Sequence, residues 1–166
     1  NGGLEAVRMV DKLPVFPFQR EFGIIEAPRD VTPLVWEGSI TLSGQQVITA
    51  PVIIRPGTQI LMEADASVIL EGSLVAEGTQ TSPIVVRRKN AEDGPWGTFA
   101  IRGPGADHSV LRHMKFQGGS GWKQPLAEYS PMFSIHWCQQ VLVEDCVFQD
   151  SSVVDDMVHG VYSKVD

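Results

Sequence analysis

The chain has few cysteines, an excess of acidic over basic residues, and no long apolar run. Its two cysteines, Cys138 and Cys146, are too few for the disulfide framework of a small secreted scaffold or for a structural zinc site. Lys and Arg number 13 against 20 Asp and Glu, which gives a net charge of −7. That balance excludes nucleic acid as a main partner, because phosphate binding needs clustered cations. No stretch reaches the roughly 18 apolar residues that a membrane span requires.

The basic residues are scattered along the chain except at one run, Arg87-Arg88-Lys89. We interpret this run as the solvated end of a strand, because charged residues at the end of an apolar segment are commonly exposed. A binding patch is the alternative interpretation.

Between residues 52 and 86 the chain repeats one short unit, in which two apolar residues flank a third and a polar or glycine break follows. A strand places residues i and i+2 on the same face, so each pair forms a short apolar strip. Strips this short need to stack on copies of themselves, which predicts an all-β parallel β-helix. The pairs are Val52/Ile54, Ile60/Met62, Val68/Leu70, Leu74/Ala76 and Ile84/Val86.

The middle residues of these units are apolar as well, which predicts that at least one outer face of the solenoid is covered. These residues are Ile53, Leu61, Ile69, Val75 and Val85. The cover could be the segment 1–30, which is rich in Pro and Phe, a partner domain, or a second copy of the chain. We expect residues 1–30 to be an extension that packs on a β-helix formed by residues 31–166.

Two later segments, residues 110–117 and 141–149, match in shape, with starts about 31 residues apart (141 − 110). That spacing exceeds an ordinary β-helix rung, so the segment 118–131 is predicted to be an inserted loop. Its aromatic residues Trp122 and Tyr129 are candidates for ligand binding, because exposed aromatic rings stack on sugars. Trp137 is expected to pack beneath a loop instead.

The end of the sequence continues the pattern, since Val165 occupies the position at which another strand like that of Val141 should begin. An uncapped rung exposes unpaired backbone groups and apolar side chains. We therefore expect either that the chain is part of a longer protein or that this end meets a partner. A homodimer through the open end is one form of the second alternative.

Residues 72–79 read Gly-x-Leu-x-Ala-x-Gly-Thr, and Pro83-Ile84 and Trp96-Gly97 follow. This motif resembles the start of many bacterial right-handed parallel β-helix domains of the pectate-lyase-like kind. The resemblance covers roughly residues 53–101 and implies the fold rather than an activity.

A second, narrower resemblance involves residues 152–163, which read Ser-Val-Val-Asp-Asp-Met-Val-His-Gly-Val-Tyr-Ser. They are similar to the β-helix that accompanies CotH-type kinase-like domains in large bacterial extracellular proteins. This resemblance implies a secreted or cell-envelope location and other domains of a parent protein as partners. The kinase-like domain, with its ATP- and metal-binding residues, is not in this chain, so no catalytic residue is carried over.

The densest group of ionisable residues is Asp150, Asp155, Asp156 and His159. Asp residues at β-helix corners accept hydrogen bonds from turn amides, which is the structural interpretation. Alternatively, Asp150, Asp155 and Asp156 could hold calcium through their oxygens. The third alternative is acid–base catalysis by Asp155, Asp156 and His159.

The best functional hypothesis is a non-catalytic accessory or recognition module of a larger bacterial surface or secreted protein, with carbohydrate as the candidate ligand. The alternative is an enzyme of the polysaccharide lyase or hydrolase type, which would use these acidic residues with or without calcium. No other cofactor is expected.

Overall fold

Short parallel strands wind into a coil of five rungs, with three main strands in each rung. The computed structural model describes residues 31–124, 127–151 and 156–166. Within them lie one short 3₁₀ turn, Pro104–Ala106, and seventeen strands. The strands are β1 (Leu34–Trp36), β2 (Ser39–Leu42), β3 (Gln45–Ile48), β4 (Val52–Ile54), β5 (Gln59–Met62), β6 (Ser67–Leu70), β7 (Leu74–Glu77), β8 (Ile84–Arg88), β9 (Phe99–Arg102), β10 (Val110–Arg112), β11 (Met114–Gln117), β12 (Trp122–Gln124), β13 (Ala127–Tyr129), β14 (Phe133–His136), β15 (Leu142–Glu144), β16 (Val147–Gln149) and β17 (Val158–Val161).

Equivalent strands of successive rungs pair in parallel and build three five-stranded sheets. Sheet A has the order β1-β4-β7-β10-β15, sheet B the order β2-β5-β8-β11-β16, and sheet C the order β3-β6-β9-β14-β17. Strands β12 and β13 stand apart as an antiparallel hairpin inserted between β11 and β14. The protein is therefore a parallel β-helix, and the predicted fold class is confirmed.

The apolar pairs predicted from the repeat fill the interior of the coil. All ten of their side chains are buried, because residues i and i+2 of each strand face inward. Burying these side chains is the main source of stability for strands of three to five residues, which cannot fold alone.

Phenylalanines continue this interior through the later rungs. Phe116 and Phe148 occupy facing positions on β11 and β16, with ring centroids 5.0 Å apart and ring planes at 9°. Phe99 and Phe133 face each other on β9 and β14, 6.4 Å apart. The four rings form one cluster, since Phe116 also lies 5.6 Å from Phe99 and 5.1 Å from Phe133.

Residues with positive φ mark the corners where one sheet gives way to the next. Trp137 and Tyr162 follow β14 and β17 with φ of 54° and 47°, and Asp150 follows β16 with φ of 55°. This left-handed conformation costs a non-glycine residue about 1–2 kcal/mol. Packing of the flanking strands on both sides offsets that cost and holds each corner in place.

The two matching segments predicted from the sequence lie in adjacent rungs. Strands β10 and β11 pair with β15 and β16, and Val110 lies opposite Leu142. Paired residues of the two segments are therefore 32 positions apart (142 − 110), one more than the separation of 31 between the starts of the segments. Val165 forms a parallel bridge with Val141, which confirms that the pattern resumes there.

The chain divides into two compact units, residues 1–31 and 32–166. The β-helix is the second unit. The expectation that residues 1–30 pack on the solenoid falls outside the described residues.

Candidate functional site

The predicted insertion folds into the hairpin β12–β13, which covers part of the outer face of sheet C. Tyr129 is 1% exposed and packs on Ile69 and Ala100. Trp122 stacks on Tyr129, with centroids 5.8 Å apart and planes at 17°. Ligand binding by Trp122 and Tyr129 stays a prediction, but the Tyr129 ring itself faces the protein.

The hairpin also accounts for one of the apolar residues between the inward-facing pairs. Ile69 is buried beneath it, and Ile53, Leu61 and Val85 are half-buried. Val75 is 38% exposed. At Ile69 the cover is thus a segment of the solenoid's own fourth rung, which was not among the covers that the sequence suggested.

A polar patch lies next to the hairpin on the outer face of sheet C. Ser134 and His136 are two residues apart on β14 and share this face, and His159 lies opposite Ser134 on β17. The rings of His136 and Tyr129 lie 4.7 Å apart, and those of His136 and His159 lie 6.1 Å apart. We call Ser134, His136 and His159 the histidine patch.

The surroundings of His136 favour the neutral form of its imidazole. Burial, helped by the nearby His159 and Arg102, lowers the pKa of His136 to about 4. His136 is therefore uncharged over the physiological pH range.

A pocket of about 350 Å³ opens at the corner that follows sheet B. Its walls come from three consecutive rungs, because Arg88 ends β8, Gln117 ends β11 and Asp150 follows β16. We call it the arginine pocket. Its lining residues are Arg87, Arg88, Ala91, Gln117, Gly118 and Asp150.

Hydrogen bonds fix the polar groups of the arginine pocket. Gln117 Nε2 donates to Asp150 Oδ2 at 2.8 Å. Arg88 Nε donates to the carbonyl oxygen of Gly118 at 3.2 Å, and Arg87 Nη1 donates to that of Arg88 at 3.1 Å. Arg87 Nε also donates to Gln59 Oε1 at 3.5 Å. The remaining N–H groups of the two guanidinium groups are further donors.

The two arginines of this pocket differ from Arg112 on the neighbouring sheet A. Across the part of the chain that the structure describes, neither Arg87 nor Arg88 pairs with a carboxylate. Arg112, by contrast, pairs with Glu77 at 2.9 Å and with Glu144 at 2.6 Å. An arginine pair without carboxylate partners is suited to an anionic ligand.

The structure describes only some of the residues predicted as a catalytic or calcium site. Asp155 lies outside the described residues, and Asp156 is exposed. Asp150 lines the arginine pocket, and His159 belongs to the histidine patch. Within residues 31–124, 127–151 and 156–166, no group of three or more His, Cys, Asp or Glu side chains is arranged to hold a metal ion. Calcium binding and catalysis by these residues stay predictions.

Two aromatic rings stand at the corner that follows sheet C. Trp137 is 43% exposed and Tyr162 is 80% exposed. They follow β14 and β17, whose paired residues His136 and Val161 precede them, so they occupy equivalent positions in adjacent rungs. The expectation that Trp137 packs beneath a loop is therefore wrong, since its side chain is exposed and its ring contacts that of His136.

Comparison with protein-family models, curated proteins and solved structures finds no match for this chain. The resemblances noted in the sequence therefore stay expectations beyond the β-helix fold itself. In the described residues, no helix has the length and apolar character needed to cross a membrane.

Sequence reasoning missed the arginine pocket and the histidine patch for the same reason. Each is assembled from residues about 25 to 60 positions apart, and the pairing depends on the register between rungs of unequal length. The signal that was available for the pocket was the Arg87-Arg88 pair itself, the start of the chain's one basic run.

Proposed function

We propose that this β-helix is a non-catalytic recognition module that binds acidic carbohydrate in the arginine pocket. The observation that carries the proposal is the pair Arg87 and Arg88, which line a concave site without carboxylate partners among the described residues. The carboxylate of a uronic acid residue would take the place of those partners.

Charge supports an anionic ligand at this position. The chain as a whole carries a net charge of −7, whereas the lining of the pocket has more positive than negative side chains. The pocket lining has two guanidinium groups and the single carboxylate of Asp150. Guanidinium binds carboxylate through two parallel hydrogen bonds, which gives direction as well as attraction.

Hydrogen-bonding capacity supports a sugar over a simple ion. Gln117 holds one oxygen of Asp150, and the remaining lone pairs of that carboxylate are acceptors for hydroxyl groups. The volume of about 350 Å³ falls within the range of small-molecule sites. A site with both anion-binding donors and hydroxyl-binding acceptors matches the two kinds of polar group on a uronic acid.

The rigidity of the scaffold supports recognition as the role. Strand ends from three consecutive rungs place the pocket residues, and regular ladders hold those strands. Sites on such elements are more precisely placed than sites on loops. The resemblance to β-helices of bacterial extracellular proteins is consistent with a module of a larger secreted or cell-surface protein that recognises polysaccharide.

The test is calorimetric titration with a tetrasaccharide of uronic acid and with the same tetrasaccharide methyl-esterified at its carboxylates. We expect binding of the acid form, and weakening of that binding as salt rises. The esterified form should bind at least about tenfold more weakly, since a charge-assisted hydrogen bond is worth about 1.5–3 kcal/mol.

Arg87→Gln and Arg88→Gln should each weaken binding of the acid form. Arg55→Gln is the matched control, because Arg55 is exposed and lies away from the pocket lining. Equal affinity for both forms of the tetrasaccharide, or an unaltered affinity in the double arginine variant, would show that the pocket is not the binding site.

The same samples separate recognition from catalysis. A lyase would release unsaturated sugars from an acidic polysaccharide, and ultraviolet absorbance detects these products. We expect no product with or without added calcium. Product formation that is lost in Asp156→Asn or His159→Ala would replace the recognition hypothesis by the enzymatic one.

A further inference from the structure

Buried polar atoms without hydrogen-bond partners concentrate at the histidine patch. In the described part of the chain, four buried side-chain nitrogen or oxygen atoms have no partner. Three of them are Ser134 Oγ, His136 Nε2 and His159 Nδ1, and the fourth is Ser151 Oγ. Such atoms are rare in folded proteins and call for a specific explanation, such as an ordered water or a bound ion.

The three side chains are brought together by the register of sheet C. Ser134 is directly opposite His159, and His136 lies two residues further along the same face of β14. The rings of His136 and His159 meet edge to face, at 86° and with centroids 6.1 Å apart. One unpartnered nitrogen of each ring therefore lies in the same small region of the sheet surface.

Two aromatic rings wall this region. Tyr129 lies 4.7 Å from His136 on one side, and Trp137 lies 5.7 Å from it in an edge-to-face contact. The backbone of β14 holds His136 and Ser134 from below, and both residues are buried. The walls fix the ring orientations, which is what a preorganised ligand set requires.

The donor atoms of the histidine patch decide which metal ions it suits. Its unpartnered nitrogens belong to the imidazole rings of His136 and His159. Imidazole nitrogen prefers the later divalent transition metals, and calcium and magnesium prefer oxygen.

We propose that His136 and His159 bind one divalent transition-metal ion, such as Cu²⁺ or Zn²⁺, on the outer face of sheet C. His136 Nε2 and His159 Nδ1 are the protein ligands. Water completes the coordination, and the Ser134 hydroxyl hydrogen-bonds a metal-bound water. The proposal does not depend on the arginine pocket, whose lining shares no residue with the histidine patch.

The test is a titration of the tag-free protein with Cu²⁺, followed by calorimetry and electron paramagnetic resonance. We expect one tightly bound ion per chain, with hyperfine structure from two nitrogen donors. Zn²⁺ should bind more weakly than Cu²⁺, following the usual order of affinity. Ca²⁺ should not bind at this position.

His159→Ala should weaken Cu²⁺ binding by at least about tenfold, since loss of even an outer-shell partner of a metal ligand costs about 10–100-fold. His108→Ala is the matched control, because His108 is an exposed histidine outside the patch. Equal Cu²⁺ affinity in His159→Ala and wild type, or a spectrum with fewer than two nitrogen donors, overturns the proposal.

A second measurement on the wild-type protein covers the case in which His159→Ala fails to fold. Side-chain ¹⁵N resonances of all four histidines are recorded with and without Zn²⁺. The proposal requires that the resonances of His136 and His159 shift and those of His108 do not. Unchanged resonances of His136 in the presence of saturating Zn²⁺ overturn it.

Discussion

Arg102 Nη1 donates a hydrogen bond of 3.0 Å to the hydroxyl oxygen of Tyr129. Arg102 belongs to sheet C and Tyr129 to the hairpin, so this bond ties the inserted segment to the solenoid. The same guanidinium pairs with Glu71, which follows β6 in the preceding rung. One arginine thus connects two rungs and the hairpin that covers them.

Removing the Tyr129 hydroxyl should loosen this connection. Tyr129→Phe keeps the ring packing on Ile69 and loses the acceptor for Arg102, so we expect a loss of about 1 kcal/mol in the free energy of unfolding. Urea denaturation measures it. Tyr162→Phe is the control, because Tyr162 is 80% exposed and should change stability by less than about 0.5 kcal/mol. An equal loss of stability in the two variants would contradict a stabilising role for the hydrogen bond between Arg102 and Tyr129.

Gly121, at the base of the hairpin, lies so close to the backbone of Ser130 that a side chain there would disturb the packing. Gly121 has φ of 93°, and a Cβ there would overlap the carbonyl oxygen of Ser130. Gly121→Ala should therefore destabilise the hairpin and increase hydrogen exchange at Ile69. Gly38→Ala is the matched control, since Gly38 also has positive φ (68°) but has open space around its Cβ position. It should cost only the backbone strain of about 1–2 kcal/mol, and a cost as large as that of Gly121→Ala would count against the steric argument.

Acidification should destabilise the fold through His136. The pKa of this residue is lowered from 6.5 to about 4 in the folded protein, so between those values the unfolded chain binds a proton that the folded chain does not. The contribution of His136 to the free energy of unfolding is then fully present above about pH 6.5. It is lost as the pH falls toward 4, by up to about 3 kcal/mol. Burial is the main cause of the lowered pKa of His136, and the nearby His159 and Arg102 act in the same direction.

Urea denaturation at several pH values, with a metal chelator present, measures this dependence. His136→Gln removes the titrating group, so its stability should fall less steeply than that of wild type over the same pH range. His108→Gln is the control and should retain the wild-type slope. An identical slope in His136→Gln would exclude His136 as the origin.

The two free cysteines should differ in reactivity. Cys138 is buried, and burial raises the pKa of its thiol to about 11. Burial raises the pKa of Cys146 as well, but this residue is only half-buried. Because the thiolate is the reactive form, a disulfide reagent at pH 8 should modify Cys146 first and Cys138 only as the protein unfolds. Cys146→Ala isolates the reaction of Cys138, and rapid modification of that variant would contradict the expectation.

Local patterns were enough to predict the coil itself. The pair Val52 and Ile54 and its successors are buried because short strands have a strict two-residue period, which is visible in a single sequence. The return of the pattern at Val165 was predicted for the same reason and is confirmed by its bridge to Val141.

The sites could not be predicted because they depend on the register between rungs of unequal length. Ser134 meets His159 across a separation of 25 positions (159 − 134), and an insertion of one residue would bring a different pair together. Trp122 and Tyr129 were predicted to lie in an insertion, but the contact of Tyr129 with Ile69 spans two rungs and leaves no local trace in the sequence.

The walls of the arginine pocket come from three neighbouring turns of the coil, so the pitch of the coil enters the proposed recognition. Neighbouring strands are spaced about 4.8 Å apart, so the strand ends that carry Arg88, Gln117 and Asp150 follow one another at that step along the axis. We expect the proposed ligand to engage several turns at once only where its charges and hydroxyls recur with a matching period, which would make the pitch of the coil a determinant of selectivity.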